Sequence, residues 1–370
     1  MSDALLNALA EALAGLVTAV ETSDEDTLDR DTAVKWLESS GRALSRLGHG
    51  DRRTLDGLFR AAALREPPGP RRDGLLTVPA GLRLDDAHLV RDDHAPLALD
   101  EEAGVARCEE TRLALDDGAH LALVDAVAEW AGRYEDTVGD ADPATPVPTC
   151  PGWTLGDLTR HLGTVHGWAE HLVTARPATR VRAGDLPLDP PADPSAYPGW
   201  FAARAQGFTA AARTADPAAP VWSPGADPSV RHYPRHLLAE TVVHLADAEI
   251  ALTGSARPLD PGTAAAALDH FLTTAPYIPW IAEPLAHLDR DGAVLRLAAR
   301  DSGAVWTLVL GGGGFTWSRS GTGAEPTASV TADAGELLLL LHRRYAPDDP
   351  RFTRTGDRDL LDDWLAASAL

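Results

Sequence analysis

The middle of the chain, residues 118–288, carries a hydrophobic pattern that is typical of helices. Apolar residues recur there at intervals of three and four, which places them on one face of a helix. One helix is expected to begin at Thr154, because Asp157 follows at the spacing of a capping box, and to end at Pro177. The other predicted helices lie at 118–137, 199–214, 235–252 and 262–273. We therefore expect a mainly α fold with a four-helix bundle between residues 118 and 288.

The pattern changes after Asp289, where short apolar runs bounded by turn residues replace the helical spacing. Runs of this kind indicate β-strands. We interpret Gly311 to Gly314 as a turn between two of them, since no Lys-Ser or Lys-Thr follows, as a phosphate-binding loop would require. The predicted strands lie at 293–299, 305–310, 315–318 and 327–331, and the predicted helices at 334–341 and 357–365. Residues 289–370 are thus expected to form a small α+β domain.

The first 110 residues have features of their own. A proline-rich stretch at 67–74 is typical of an extended linker and predicts a boundary. The predicted elements are helices at 3–20, 31–47 and 54–64 and a strand pair at 75–84. We interpret residues 1–110 as an extra N-terminal helical unit, with the helices in 1–66 and protein interaction as the expected role.

The charge balance restricts the classes of partner. The chain holds 33 Lys and Arg residues against 55 Asp and Glu residues, which gives a formal net charge of −22. Such a surface repels nucleic-acid phosphates and anionic lipids. Neither nucleic acid nor a membrane surface is therefore an expected partner.

Sequence features also predict the compartment. No apolar run approaches the ~20 residues that span a bilayer, and the first residues lack the basic segment of a signal peptide. The two cysteines, Cys108 and Cys150, are too few for a disulfide framework in a chain of 370 residues. We expect a cytoplasmic protein.

The candidate chemistry begins with Glu240 and His244. They lie four residues apart in the helix predicted at 235–252, so they share one face of it. Both are residue types that bind zinc. Their neighbours are apolar, and burying either side chain would cost several kcal/mol without a partner. A metal would satisfy both; an exposed Glu–His pair on the helix surface is the alternative.

His161 is the third candidate ligand. It lies beside the apolar face of its own predicted helix, whereas His166 lies about 140° further round, so both are not expected to face one core. One ligand from one helix and two from another is a common way to build a site in a bundle. Three protein ligands would leave the fourth position of zinc open, as in catalytic sites. A histidine satisfied within the core is the alternative.

Three stretches of sequence point to one family. Val147 to Gly163 reads VPTCPGWTLGDLTRHLG, Glu240 to Glu249 reads ETVVHLADAE, and Thr355 to Leu365 reads TGDRDLLDDWL. They resemble, in this order, the opening motif, the second motif and the C-terminal end of the mycothiol-dependent maleylpyruvate isomerase family. That family belongs to the DinB-like four-helix metalloproteins. The resemblance covers about residues 118–370 and does not extend to residues 1–110.

The resemblance implies a ligand set and a chemistry. The family's metal ligands correspond to His161, Glu240 and His244, and Asp247 falls where a carboxylate that supports a ligand is expected. The implied cofactors are a divalent metal, expected to be zinc, and a small thiol, which is mycothiol in the family. Metal coordination deprotonates a thiol at neutral pH. The thiolate then attacks a small electrophilic substrate, which is isomerised if the thiol leaves again and conjugated if it stays.

One departure from the family's motif weakens the inference that this chain shares the family's substrate. Many relatives have His directly before the ligand Glu, and this chain has Ala239.

Other residues near the motifs are weaker candidates for a role at the site. Cys150 is interpreted as a packing residue, because it precedes His161 by two helical turns or more. His236, one turn before Glu240, is the best replacement ligand, and His232 lies near the start of the same helix. The tryptophans close enough in sequence to line a pocket are Trp153 and Trp168.

Three classes of function remain open at this point. The first is a metal-dependent transferase or isomerase that uses a small thiol. The second is a non-catalytic metal-binding scaffold whose residues 1–110 bind a protein partner. The third is a metal-dependent hydrolase, for which Asp247 is the one general base that the sequence offers.

Overall fold

The structure is a computed structural model that describes residues 117–311, 314–319 and 325–368. The helices, strand pair and linker predicted within residues 1–110 lie outside the described residues, as do the two central glycines of the predicted glycine turn. The domain boundaries near residues 110 and 289 stay predictions.

Helices occupy the first part of the described chain. They are α1 (Asp117–Val138), α2 (Leu155–Ala175), α3 (Tyr197–Thr214), α4 (His232–Thr253), α5 (Pro261–Thr274) and α6 (Pro279–Ala286), with short 3-10 turns at Ala183–Asp185, Pro194–Ala196 and Ala275–Tyr277. The first four helices pack as a bundle, in which α1 and α2 each contact both α3 and α4. α5 packs against α4. The mainly α fold with a helical bundle is confirmed.

The sequence around Thr154 forms α2 for local reasons. The Thr154 hydroxyl accepts a hydrogen bond from the Asp157 backbone at 3.2 Å, and the Thr154 backbone donates to the Asp157 carboxylate at 3.1 Å, as the capping box predicted. The helix ends at Ala175, and the residue that caps it, Arg176, is left-handed (φ 49°). Its leucines at 155, 158, 162 and 172 are buried, and each stabilises the bundle by roughly 1.5–3 kcal/mol.

A five-stranded sheet follows the bundle. Its strands are β1 (Val294–Ala299), β2 (Val305–Gly311), β3 (Gly314–Ser318), β4 (Ala328–Ala332) and β5 (Thr353–Gly356), in the order β3-β2-β1-β4-β5. β1 and β4 run parallel, and the other neighbours are antiparallel. Two helices complete this part: α7 (Ala334–Leu341) and α8 (Arg358–Ala367). The predicted small α+β unit is confirmed.

The part of the chain that contains the sheet packs against the helical part through α7 and α5. α7 contacts α5 on one side and strands β1 and β4 on the other. Across the same boundary the Trp306 indole N–H donates to the Asp269 carboxylate at 2.8 Å. The chain that leaves the end of α7 is thereby brought toward the helical bundle.

Among the described residues, β5 and the α-helix α6 were absent from the sequence prediction. β5 contains no large apolar residue and pairs with β4 through its backbone, so it lacks the pattern that identifies a strand. Its last residue, Gly356, has φ 78° and lies against the Thr327 carbonyl, where a side chain would not fit. α6 is only 8 residues long and contains Pro284, and a proline inside a segment reads as a helix breaker in a sequence.

Within the described residues, no helix combines the length and the apolar character that a membrane span requires.

His166, which lies about 140° further round α2 than His161, faces the core of the bundle. Its side chain is fully buried, its ring packs edge-on against Phe201 at 5.2 Å between centroids, and its Nε2–H donates to the Thr241 hydroxyl at 3.0 Å. The Thr241 hydroxyl is itself a donor to the Leu237 carbonyl, which fixes this direction. The 140° offset from His161 remains, but a bundle surrounds α2 closely enough for both residues to face protein.

Burial of His166 makes the stability of the protein depend on pH. Burial lowers the pKa of His166 to about 3, against about 6.5 in an unfolded chain. Below pH 6.5 the unfolded chain takes up a proton that the folded protein does not, so stability is lost as the pH falls. When the pH falls from 7.5 to 4.5, the free energy of unfolding should decrease in both proteins. The decrease in His166→Gln should be about 2.5 kcal/mol smaller than in the wild type. Urea unfolding in the presence of a chelator measures this difference, and parallel pH profiles would contradict it.

Candidate metal centre

The middle of α4 supplies two of the three predicted ligands. Glu240 and His244 lie one turn apart, and the His244 Nε2 is 3.5 Å from the Glu240 Oε2. The His244 side chain is 12% exposed and that of Glu240 is 28% exposed. The pair is therefore mostly enclosed, but the carboxylate can be reached from solvent. This arrangement differs from the exposed surface pair that the spacing left open.

His161 approaches the same carboxylate from α2. Its Nε2 lies 3.4 Å from the Glu240 Oε2, and its ring meets the His244 ring edge-on with 4.9 Å between centroids. One donor atom from each of the three residues lies within 4.8 Å of the other two. The structure thus brings together the three residues that the sequence selected, although their binding of a metal stays a prediction.

The donor separations fit a tetrahedral metal. Nitrogen and oxygen ligands at 2.0–2.1 Å from a tetrahedral zinc are about 3.3 Å from each other. The two measured nitrogen–oxygen separations, 3.4 Å and 3.5 Å, are close to that value. The residues present therefore fit the metal that the resemblance implies.

Asp247 orients His244. The His244 Nδ1–H donates to the Asp247 Oδ2 at 2.8 Å, which leaves the Nε2 to face Glu240. A carboxylate that fixes the far nitrogen of a ligand histidine is a common support in metal sites. The Asp247 side chain is fully buried. By contrast, the His161 Nδ1 is buried without a hydrogen-bond partner among the described residues.

Arg344 is a residue of the site that the sequence reasoning missed. It follows α7, where Arg343 is left-handed (φ 60°) and the Arg344 backbone N–H donates to the Leu339 carbonyl. Its guanidinium forms a bidentate pair with Asp247, with Nε–Oδ1 at 2.8 Å and Nη2–Oδ2 at 2.7 Å. The side chain is 13% exposed. Since no local pattern marks it, only the docking of α7 reveals its role.

Cys150 packs against the core, as the sequence interpretation expected, and it also lies beside Asp247 and Arg344. Its Sγ is 3.4 Å from the Asp247 Oδ2 and 3.5 Å from the Arg344 Nη2. The loop before α2 folds back, because the Val147 N–H donates to the Trp153 carbonyl and the Cys150 N–H to the Val147 carbonyl. The fold-back brings Cys150 to Asp247, which is 97 residues away in the sequence.

The electrostatics of the three predicted ligands are coupled. Burial by itself would raise the pKa of Glu240, but hydrogen bonds from His161 and His244 hold that pKa well below its usual range. Burial would lower the pKa of His244, but the hydrogen bond to Asp247 and its other polar neighbours raise it well above normal. Burial lowers the pKa of His161. A positive charge is thus favoured between two carboxylates, whether it is a proton or a metal ion.

The two tryptophans have different positions. Trp153 covers the site, with its ring centroid 5.2 Å from that of His161 and 6.3 Å from that of His244. Trp168 lies instead beside Tyr233 and His236, with centroids at 5.8 Å and 6.3 Å. Trp153 alone of the two contacts the predicted ligands.

Comparison with known families supports the resemblance drawn from the motifs. Residues 123–249 match the sequence profile of the mycothiol maleylpyruvate isomerase N-terminal domain. The matched segment runs from α1 into α4 and contains His161, Glu240, His244 and Asp247, whereas Arg344 lies outside it. The resemblance is confirmed for this segment.

Two solved structures have only a weak similarity to this chain. One solved structure, a UbiJ-SCP2 ubiquinone synthesis protein, is 20% identical over 30% of this chain and 96% of its own, with a TM-score of 0.22. Another, the inverting sec-alkylsulfatase Pisa1 from Pseudomonas sp., is 14% identical over 97% of this chain, with a TM-score of 0.25. This chain spans 50% of the length of the sulfatase. Scores this low carry no argument about fold or function. The search of curated proteins gave no match.

Proposed function

We propose, on the premise that residues 123–249 are similar to a mycothiol maleylpyruvate isomerase N-terminal domain, that the protein is a metal-dependent enzyme acting through a small thiol. The observation that carries the proposal is the convergence of the His161 and His244 Nε2 atoms on one oxygen of Glu240. These three residues would hold a divalent metal, with zinc as the expected ion. The proposed place of action is the cytoplasm.

A divalent metal held by these three residues would supply a thiolate at neutral pH, because coordination lowers the pKa of a thiol. The chain contributes the surroundings. Asp247 and Arg344 fix the orientation of His244, and the Trp153 ring shields both histidines on one side. The partly exposed Glu240 leaves an approach from solvent for a small thiol and a small electrophile. Maleylpyruvate, which the family description names, is the first substrate to test.

The hydrolase alternative is disfavoured by the state of Asp247. Its Oδ2 accepts from His244, and both of its oxygens accept from Arg344. These contacts hold its pKa far below normal despite burial, so it is a poor proton acceptor. The scaffold alternative, with a protein partner bound by residues 1–110, makes the opposite prediction in the following experiment.

Cobalt-substituted protein should respond to a small thiol. We expect mycothiol to produce a sulfur-to-cobalt charge-transfer band in the near ultraviolet, because the thiolate would enter the open position. An S-methylated thiol is the control ligand and should give no band. Cys150→Ser is the control variant, since its band shows that the responding sulfur comes from the added thiol. Unchanged spectra and no heat of binding would reject the thiol-using enzyme in favour of a scaffold.

A further inference from the structure

A second group of ligand-type side chains lies at the start of α4. His232 and His236 are one turn apart on that helix, and His270 reaches them from α5. One ring nitrogen of each lies within 4.8 Å of the other two. On α4, His232 and His236 are followed at the same spacing by Glu240 and His244. Every fourth residue from 232 to 244 is therefore of a type that binds metals. Such a repeat keeps the side chains along one side of the helix.

We propose that His232, His236 and His270 bind a second metal ion, distinct from the one assigned to Glu240. The His236 Nδ1 is 3.3 Å from the His270 Nε2. That separation equals the roughly 3.3 Å expected between two nitrogens bound to one tetrahedral zinc. Three imidazoles with a fourth position free is a known zinc ligand set, and imidazole also suits copper and nickel. The ligand class is therefore a divalent transition metal, with zinc as the probe.

A hydrogen-bonded histidine cluster explains the geometry less completely. One hydrogen bond between His236 and His270 would account for the 3.3 Å distance. It leaves His232 unexplained, because its Nε2 is buried without a partner among the described residues, and the residue is 5% exposed. A buried polar atom without a partner is costly. A metal shared by three imidazoles removes the need for a separate partner for each ring.

The surroundings keep the three imidazoles in the form that binds metals. Burial lowers the pKa of all three, and those of His232 and His270 lie well below normal. Neutral imidazole is the ligand form. The nearby cation Arg235 is directed toward Asp227, with Nη1 3.8 Å from the Asp227 Oδ2, which partly offsets its charge.

His236 places the second site beside the first. Its Nδ1 faces His270, while its Nε2 lies 3.9 Å from the Glu240 Oε1. The other oxygen of Glu240 faces His161 and His244. The two donor sets are therefore neighbours, with the His236 imidazole of one set facing the Glu240 carboxylate of the other.

Zinc stoichiometry tests the second site. Full-length protein is stripped with a chelator and titrated with zinc against a chromogenic competitor. His270→Gln should bind one equivalent fewer than the wild type, and His287→Gln, which removes an exposed histidine at the end of α6, should bind the same amount. His244→Ala with His270→Gln should bind one equivalent fewer than His244→Ala alone, so the result does not depend on the first site. Equal stoichiometry with and without His270 overturns the proposal.

A second measurement covers the case in which His270→Gln does not fold, as judged by circular dichroism. Wild-type crystals grown with stoichiometric zinc are measured on both sides of the zinc absorption edge. An anomalous peak between the three ring nitrogens supports the site. A map without density there overturns it.

Discussion

His244→Ala is expected to abolish stoichiometric zinc binding at the site formed with His161 and Glu240. The substitution removes one of three donors and also the hydrogen bond that ties the site to Asp247. Loss of a supporting partner alone costs about 10–100-fold in metal affinity, so loss of a ligand should cost more. Of the two histidines that hydrogen-bond to Glu240, only His161 would remain, so the stability of the protein should fall as well. Titration with zinc against a competing chelator measures the affinity, and urea unfolding measures the stability.

Two further variants separate metal binding from folding. Glu240→Gln keeps the shape of the side chain and removes its charge, so it should weaken zinc binding with less damage to packing. His166→Ala should leave zinc binding intact, because His166 is not part of the donor set, but should destabilise the protein through lost burial and the lost Thr241 hydrogen bond. The assignment is wrong if His166→Ala abolishes zinc binding while His161→Ala does not.

Arg344→Met is expected to destabilise the protein by about 3–5 kcal/mol. The change keeps a long side chain but leaves the fully buried Asp247 carboxylate without its bidentate partner, and breaking a buried pair costs about that much. The matched control is Arg300→Met, which breaks ion pairs of a half-exposed arginine with Asp333 and Glu336. Pairs of that kind contribute about 1 kcal/mol or less. Urea unfolding of both variants gives the comparison.

Arg344 should also affect the metal without touching it. With its partner gone, Asp247 is free to reorient, and His244 loses the support that directs its Nε2 toward Glu240. Zinc affinity of Arg344→Met should fall by about 10–100-fold. In a double-mutant cycle, the variant that combines Asp247→Asn with Arg344→Met should lose less zinc-binding free energy than the sum of the losses in the two single variants. Additive losses, or an affinity equal to that of the wild type, would show that the pair does not act on the site.

Local sequence was enough to place most of the helices and strands. The capping box at Thr154 and the buried leucines of α2 act within a few residues, so their pattern predicts the helix and its start. The same holds for Glu240 and His244, whose spacing on α4 fixes their common face. His161 was a candidate from its place beside the apolar face of its helix, and the resemblance strengthened its selection. No local rule relates it to Glu240, which is 79 residues away on another helix.

The tertiary structure alone decided which distant residues complete the site. Arg344 and Cys150 are separated from Asp247 by 97 residues each, and they meet it because α7 docks on α5 and the loop before α2 folds back. The meeting of His270 with His232 and His236 likewise depends on how α5 packs against α4. Backbone hydrogen bonds within helices join residues close in sequence, so local pattern encodes them. Contacts between elements depend on how whole side-chain surfaces fit together, and a single sequence shows those surfaces only one element at a time.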